Sequence, residues 1–125
     1  MRRLAALVEA LVLVGCSSVP IPAAVPPVID MVDAPATATL DATGHATVTA
    51  TVKFHDDDDN VTGMILRLPK SNLESRGDIP PSRSGGTTVN SVFSGTKGLV
   101  VDYELIAVDE AGHRSTPVAR TVTLQ

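Results

Sequence analysis

The chain has 125 residues, 43% of them hydrophobic but only three aromatic, with 10 Lys and Arg against 14 Asp and Glu for a formal charge of −4. That length suits one domain. An acidic balance without a basic patch excludes nucleic acid as a partner, because nothing is present to displace phosphate counterions.

The first segment has the layout of a secretory signal: charge from Arg2 and Arg3, an apolar stretch from Leu4 to Val14, and small Gly15 before Cys16. The stretch is too short to span a bilayer as a helix, which takes roughly 20 apolar residues. Glu9 departs from the pattern, since an ionised carboxylate in an apolar segment is costly. Leu13-Val14-Gly15-Cys16 resembles the lipobox of bacterial lipoprotein precursors. The resemblance implies that residues 1–15 are a signal peptide removed from the mature protein. It also implies a diacylglyceryl thioether on Cys16 and acylation (palmitate) of the new amino group. Two or three chains anchor far more firmly than one. Ser17 rather than Asp follows the cysteine, which in the enterobacterial sorting pattern implies the outer membrane, if the cell has one. Cys16 is the sole cysteine, so with it lipidated the mature chain forms no internal disulfide. Without Arg2, Arg3 and Glu9, eight basic side chains face thirteen acidic ones, a formal charge of −5.

Residues 16–27 read as the lipidated cysteine and a linker, kept extended by Pro20, Pro22, Pro26 and Pro27. In a polyproline-like state the stretch from Ser17 reaches roughly 34 Å, at about 3.1 Å per residue. From Val28 the pattern is β. Val28 to Leu40 supplies a first strand interrupted near Pro35. Asp41 to Gly44 is a turn. Ala46 to Phe54 alternates strictly, with Ala46, Val48, Ala50, Val52 and Phe54 on one face, as a half-buried strand requires. Val61 to Leu68 is the next strand, ended by Pro69. Lys70 to Gly86 is polar and rich in Ser, Gly and Pro, and reads as a long connection. Thr87 to Phe93 is a strand, Gly95 to Gly98 a turn, and Leu99 to Val108 a strand with Val101, Tyr103, Leu105 and Ala107 on one face. Asp109 to His113 is a hairpin loop, and Thr116 to Leu124 the last strand. Short strands at this spacing predict an all-β antiparallel sandwich of about seven strands over residues 28–125.

Ala46 to Phe54 with Val61 to Leu68 resembles strands B and C of bacterial Ig-like or fibronectin-III-like domains, and Tyr103 to Gly112 resembles their strand F and F–G turn. The resemblance implies that Tyr103 is a tyrosine corner, its hydroxyl bonding back to nearby backbone. The Trp and paired Cys of antibody domains are missing, so the core relies on aliphatic residues, Phe54, Phe93 and Tyr103. The resemblance also implies that the B–C and F–G loops share one end, beside the start of the first strand.

The most charged stretches then converge. The first loop is His55-Asp56-Asp57-Asp58-Asp59-Asn60, and the second adds Asp109, Glu110 and His113, with Asp30 and Asp33 near. Calcium takes six to eight oxygens, and clustered Asp supplies them, so Asp56, Asp57, Asp58, Asp59, Asp109 and Glu110 are candidate ligands. Cadherin-like domains, by resemblance, bind calcium at this end. A run of like charge also serves as a solvated loop that resists aggregation. His55 and His113 offer imidazoles to zinc or copper, without a ligand spacing. The run is no EF-hand loop: Val61 stands where Gly is required and Arg67 where the closing Glu belongs.

Arg76-Gly77-Asp78, in the long connection, resembles an integrin-recognition tripeptide, and Asn60-Val61-Thr62 matches a glycosylation sequon; neither has supporting context. No nucleophile elbow, metalloprotease helix or phosphate loop is present, and three aromatics give no platform for sugars. The expectation is a non-catalytic, lipid-anchored module of the bacterial cell envelope. Its partners are the membrane, through the anchor, and an envelope or extracellular protein. The alternatives are a calcium-binding surface module and, third, a small hydrolase.

Overall fold

The computed structural model describes residues 25–125. Cys16, the signal segment and the linker up to residue 24 lie outside the described residues. Eight strands follow in order: β1 (Val28–Asp33), β2 (Thr37–Ala38), β3 (His45–His55), β4 (Val61–Leu68), β5 (Leu73–Ser82), β6 (Ser84–Ser94), β7 (Val100–Asp109) and β8 (Val118–Leu124). They form a three-stranded sheet, β1-β3-β6, and a five-stranded sheet, β2-β8-β7-β4-β5. Neighbours are antiparallel except β2 and β8.

Alternation fixes which faces meet. In β3, Ala46, Val48, Ala50, Val52 and Phe54 are buried, and the residues between them are exposed or partly so. Across the core stand Val61, Met64, Tyr103, Leu105, Ala107, Val122 and Leu124. Fully burying one valine or leucine is worth roughly 1.5–3 kcal/mol, so this inner layer carries the fold. The turn before β3 is set by Asp41, whose Oδ1 accepts from the amides of Thr43 and His45 and from the Thr43 hydroxyl at 2.6–3.0 Å. Those donors hold the Asp41 carboxyl below its ordinary value, the Thr43 hydroxyl contributing most. Gly44 closes the turn at φ +81°, a conformation that favours glycine.

The first strand does break near Pro35. β1 pairs with β3, and the chain then crosses to the other sheet, where β2 runs parallel to β8. Residues 70–86 are not a long connection. They hold β5 and the start of β6, joined across Arg83 alone, and this raises the strand count to eight. Asn72 at φ +55° ends the tight turn between β4 and β5. β5 escapes periodicity because almost all of it is exposed: it is an edge strand with both faces wet. Arg76-Gly77-Asp78 therefore lies within a strand, and its Arg and Asp pair with each other at 3.3 Å.

On the outer face of the five-stranded sheet, Ile65, Ile106 and Val108 form a second buried cluster. Beside it runs a charge ladder. Arg67 bonds Glu104 at 2.6 Å, and Arg114 grips Glu74 through two nitrogens at 2.9 and 3.2 Å.

Tyr103 is 1% exposed, with its ring tilted against Phe93 at 5.7 Å. Its hydroxyl has no hydrogen-bond partner among the described residues, so the tyrosine-corner bond is not formed. Burial pushes its pKa up. Removing an unpaired buried hydroxyl costs nothing and can help. Tyr103→Phe is therefore expected to leave the melting temperature unchanged or raise it. A loss of about 1 kcal/mol or more in chemical denaturation would instead reveal a bond to the hydroxyl.

Candidate metal centre

Period two places two aspartates inside. Asp56 continues the inward positions Ala46 to Phe54 of β3, and Asp109 continues Tyr103, Leu105 and Ala107 of β7. They are 3% and 2% exposed, at the end of the sandwich where the β3–β4 and β7–β8 loops meet. Asp58, exposed, leans over them. One carboxylate oxygen from each of Asp56, Asp58 and Asp109 lies within 4.8 Å of the other two.

Several contacts build this end. The Asp56 amide donates to Arg83 O at 2.6 Å, and the Arg83 guanidinium donates to the carbonyls of Asp57 (3.1 Å) and Asp58 (3.5 Å). Asn60 and Glu110 tie the two loops together, through the Asn60 side chain at 2.8 Å and the Glu110 amide at 3.0 Å. The Asp109 carboxylate accepts from the His113 amide at 2.8 Å and lies 3.2 Å from its ring. The described chain enters here too: Pro27 is buried, and the Val25 amide donates to Asp58 Oδ2 at 2.8 Å.

Of the six candidate ligands, the structure thus brings together three. Asp57 points to solvent, Asp59 accepts from the adjacent Asn60 amide at 2.8 Å, and Glu110 is held by Asn60. Neither histidine is among the three grouped ligands: His55 stands apart, bonded to Asp30 at 2.8 Å, while His113 lies against the cluster, its Nδ1 3.2 Å from Asp109. Arg83, which props the loop, lies in what reads from sequence as a structureless connection, and nothing in the sequence singles it out.

The electrostatics are unbalanced. Asp56 Oδ1 accepts weakly from the Asp58 amide at 3.2 Å, but Oδ2 is buried with no hydrogen-bond partner. Burial, reinforced by the Asp58 and Asp109 side chains, pushes the Asp56 carboxyl above its ordinary value of 3.8. If both were charged, Asp56 and Asp109, with oxygens within 4.8 Å of each other, would repel by on the order of 3 kcal/mol at an effective dielectric of about 20. Asp58 moves the other way, held low chiefly by the Val25 amide. His55 is raised by Asp30. A hard divalent cation would answer this arrangement, since it takes oxygen ligands, sits among carboxylates and would neutralise the charge that burial penalises on Asp56. The donor set is all oxygen, which fits calcium better than zinc or copper.

No family model matches the chain, and no curated protein matches it. Among solved structures, the chain is similar to the PKD domain of an M14-like peptidase from Thermoplasmatales archaeon SCGC AB-540-F20. The identity is 19%, covering 82% of this chain and 98% of that one at a TM-score of 0.57. It also matches a Niemann-Pick type C2 protein from the Japanese carpenter ant, at 10% identity over 82% of this chain and 96% of that one, with a TM-score of 0.46. The likeness to the PKD domain is one of fold, and that fold is an all-β, Ig-like sandwich.

Proposed function

We infer that the chain is a lipid-anchored, non-catalytic interaction module of the bacterial cell envelope, and that calcium organises the end where the sandwich meets its tether. The observation that carries the reading is the buried, unpartnered oxygen of Asp56 beside Asp58 and Asp109. An oxygen in that position costs free energy unless a proton or a cation answers it. The tether supplies the context. Val25 bonds Asp58, so a cation there stands between the sandwich and the linker that leads back to Cys16. Calcium bound at Asp58 would share that carboxylate with the Val25 amide, and so would tie the ion to the point where the described chain enters the sandwich. Ser17 after the cysteine favours the outer membrane where the cell has one.

The anchor is tested by expressing the full chain in a bacterial host with radiolabelled palmitate. The expected result is label on the wild type and its recovery in the membrane fraction. Cys16→Ser should lose the label and the membrane association together. Unlabelled wild-type chain in the soluble fraction would contradict the anchor. The calcium half is read separately, from the melting temperature with and without the ion.

A further inference from the structure

Among the described residues, the two sheets have four edges: β1 and β6, β2 and β5. Exposed edges invite pairing, and proteins blunt them with charge, proline, bulges or shortness. Three of the four are blunted. β1 carries Asp30 and Asp33 and slips register between Ile29 and Met31. β2 is two residues long. β5 carries Glu74, Arg76, Asp78, Pro80 and Pro81. β6 has none of these devices. Its eleven residues hold no charge and no proline, and they pair with β3 without a register break.

Beside that edge the sandwich stands open. A groove of about 710 Å³ separates β5 from β6, with Met64, Leu66 and Leu68 of β4 on its apolar floor. It stays open at its middle, where the inward residues of both strands are small, while the larger Leu73 and Ile79 of β5 and Phe93 of β6 line its ends. Register puts Ser75 and Gly77 of β5 on one wall, with Thr87, Val89 and Ser91 of β6 on the other. A Cβ built on Gly77 meets nothing within 4 Å.

We propose that the open edge of β6 is a strand-addition site for an extended, uncharged polypeptide segment of a partner protein, whose alternate apolar side chains fill the groove between β5 and β6. Backbone pairing would supply affinity and the alternate side chains specificity. Charge narrows the occupant, because a charged segment would find nothing here to pair with. β6 is neutral, and the charges of β5 are on the outer face and already paired, Glu74 with Arg114 and Arg76 with Asp78. A second copy fits less well. Its Phe93 is already committed to its own core against Tyr103, and the inward residues left to offer, Thr87, Val89 and Ser91, are no larger than those already lining the middle of the groove. This inference rests on the reading of the chain as an interaction module and names the surface that module uses.

The test uses the full chain in non-ionic detergent and a fluorescein-labelled synthetic peptide of alternating valine and threonine, followed by anisotropy. Saturable binding is expected. It should weaken about tenfold or more with Gly77→Leu, which fills the groove from β5 without touching β6, and with Ser91→Lys, which places a charge on β6. The same peptide N-methylated at alternate amides leaves the protein unaltered and is expected not to bind. Equal binding of the methylated peptide, or affinity unmoved by both variants, would overturn the proposal. So would sedimentation showing a dimer that Ser91→Lys dissociates, because the edge would then belong to a second copy. Palmitate labelling is independent of all these outcomes, so failure at β6 is distinguishable from failure of the anchored-module reading.

Discussion

Leu105→Ala is expected to remove about 2–5 kcal/mol of folding free energy. Leu105 has no exposed surface and lies in β7, flanked by β4 and β8 in the larger sheet. Its register partners are Leu66 on one side and Val118 on the other. Deleting its side chain removes the transfer energy of the lost carbons and leaves a cavity that flanking strands cannot close. A domain of this size holds only about 5–15 kcal/mol in all. With three aromatics, all in one layer, little else compensates. The midpoint of urea denaturation should fall steeply. Val92→Ala, at a side chain that is 62% exposed on β6, is the control and should stay within about 0.5 kcal/mol of wild type. A cost below about 1 kcal/mol for Leu105→Ala would mean that the interface between the sheets is not where the described residues place it.

Asp56→Asn is expected to do the opposite in calcium-free buffer. The amide keeps the shape of the carboxylate and its weak bond from the Asp58 amide, but it carries no charge into the buried end. Relief of an unpaired buried charge is worth on the order of 1–3 kcal/mol. The pH dependence follows the same logic. The folded-state pKa of Asp56 is raised above 3.8, so the native state holds this proton more tightly than the unfolded state does. Stability without metal therefore falls as pH rises from about 4 through that raised value. His55 acts in the same direction at higher pH. Its bond to Asp30 stabilises the fold fully below its ordinary 6.5, and the benefit is lost as pH rises through its raised value. Below the ordinary carboxylate range the trend reverses, since Asp41, Glu74 and Asp102 are all held low by their donors and lose those bonds on protonation. Asp56→Asn should flatten the lower part of the decline, and Asp30→Asn the upper part. Melting curves across pH in chelator check both.

Much of this architecture is legible in the residues, and what is not has a physical reason. β4 falls on Val61 to Leu68, as its pattern and Pro69 predict, and β3 extends the predicted strand by one residue at each end. These strands bury one face and alternate strictly, so the periodic signal is strong. β5 buries neither face, carries two prolines and alternates nothing, so it reads as a connection. The turn signal was nonetheless present, in Pro69 and Asn72. At the acidic end, the run Asp56 to Asp59 reads as one block of equal ligands, while the backbone separates it. Extending the parity of β3 through the loop picks out Asp56, and extending β7 picks out Asp109. Tyr103 shows the limit of resemblance: its place in the core follows from alternation, but its hydroxyl bond depended on backbone that does not come near.

If calcium answers the unpaired oxygen of Asp56, a thermal melt of the full chain in non-ionic detergent at pH 7 will show it, run first in excess EDTA and then in millimolar calcium. A ligand that binds only the folded state stabilises it by mass action, by about 2.7 kcal/mol at a hundred times its Kd. For a domain of about 100 residues that is a rise of roughly 10 °C or more. Such a rise is expected for the wild type, with little or none for Asp56→Asn, and the metal-free variant should melt above the metal-free wild type. Identical wild-type curves in EDTA and calcium would contradict it and leave the Asp run as a solvated loop.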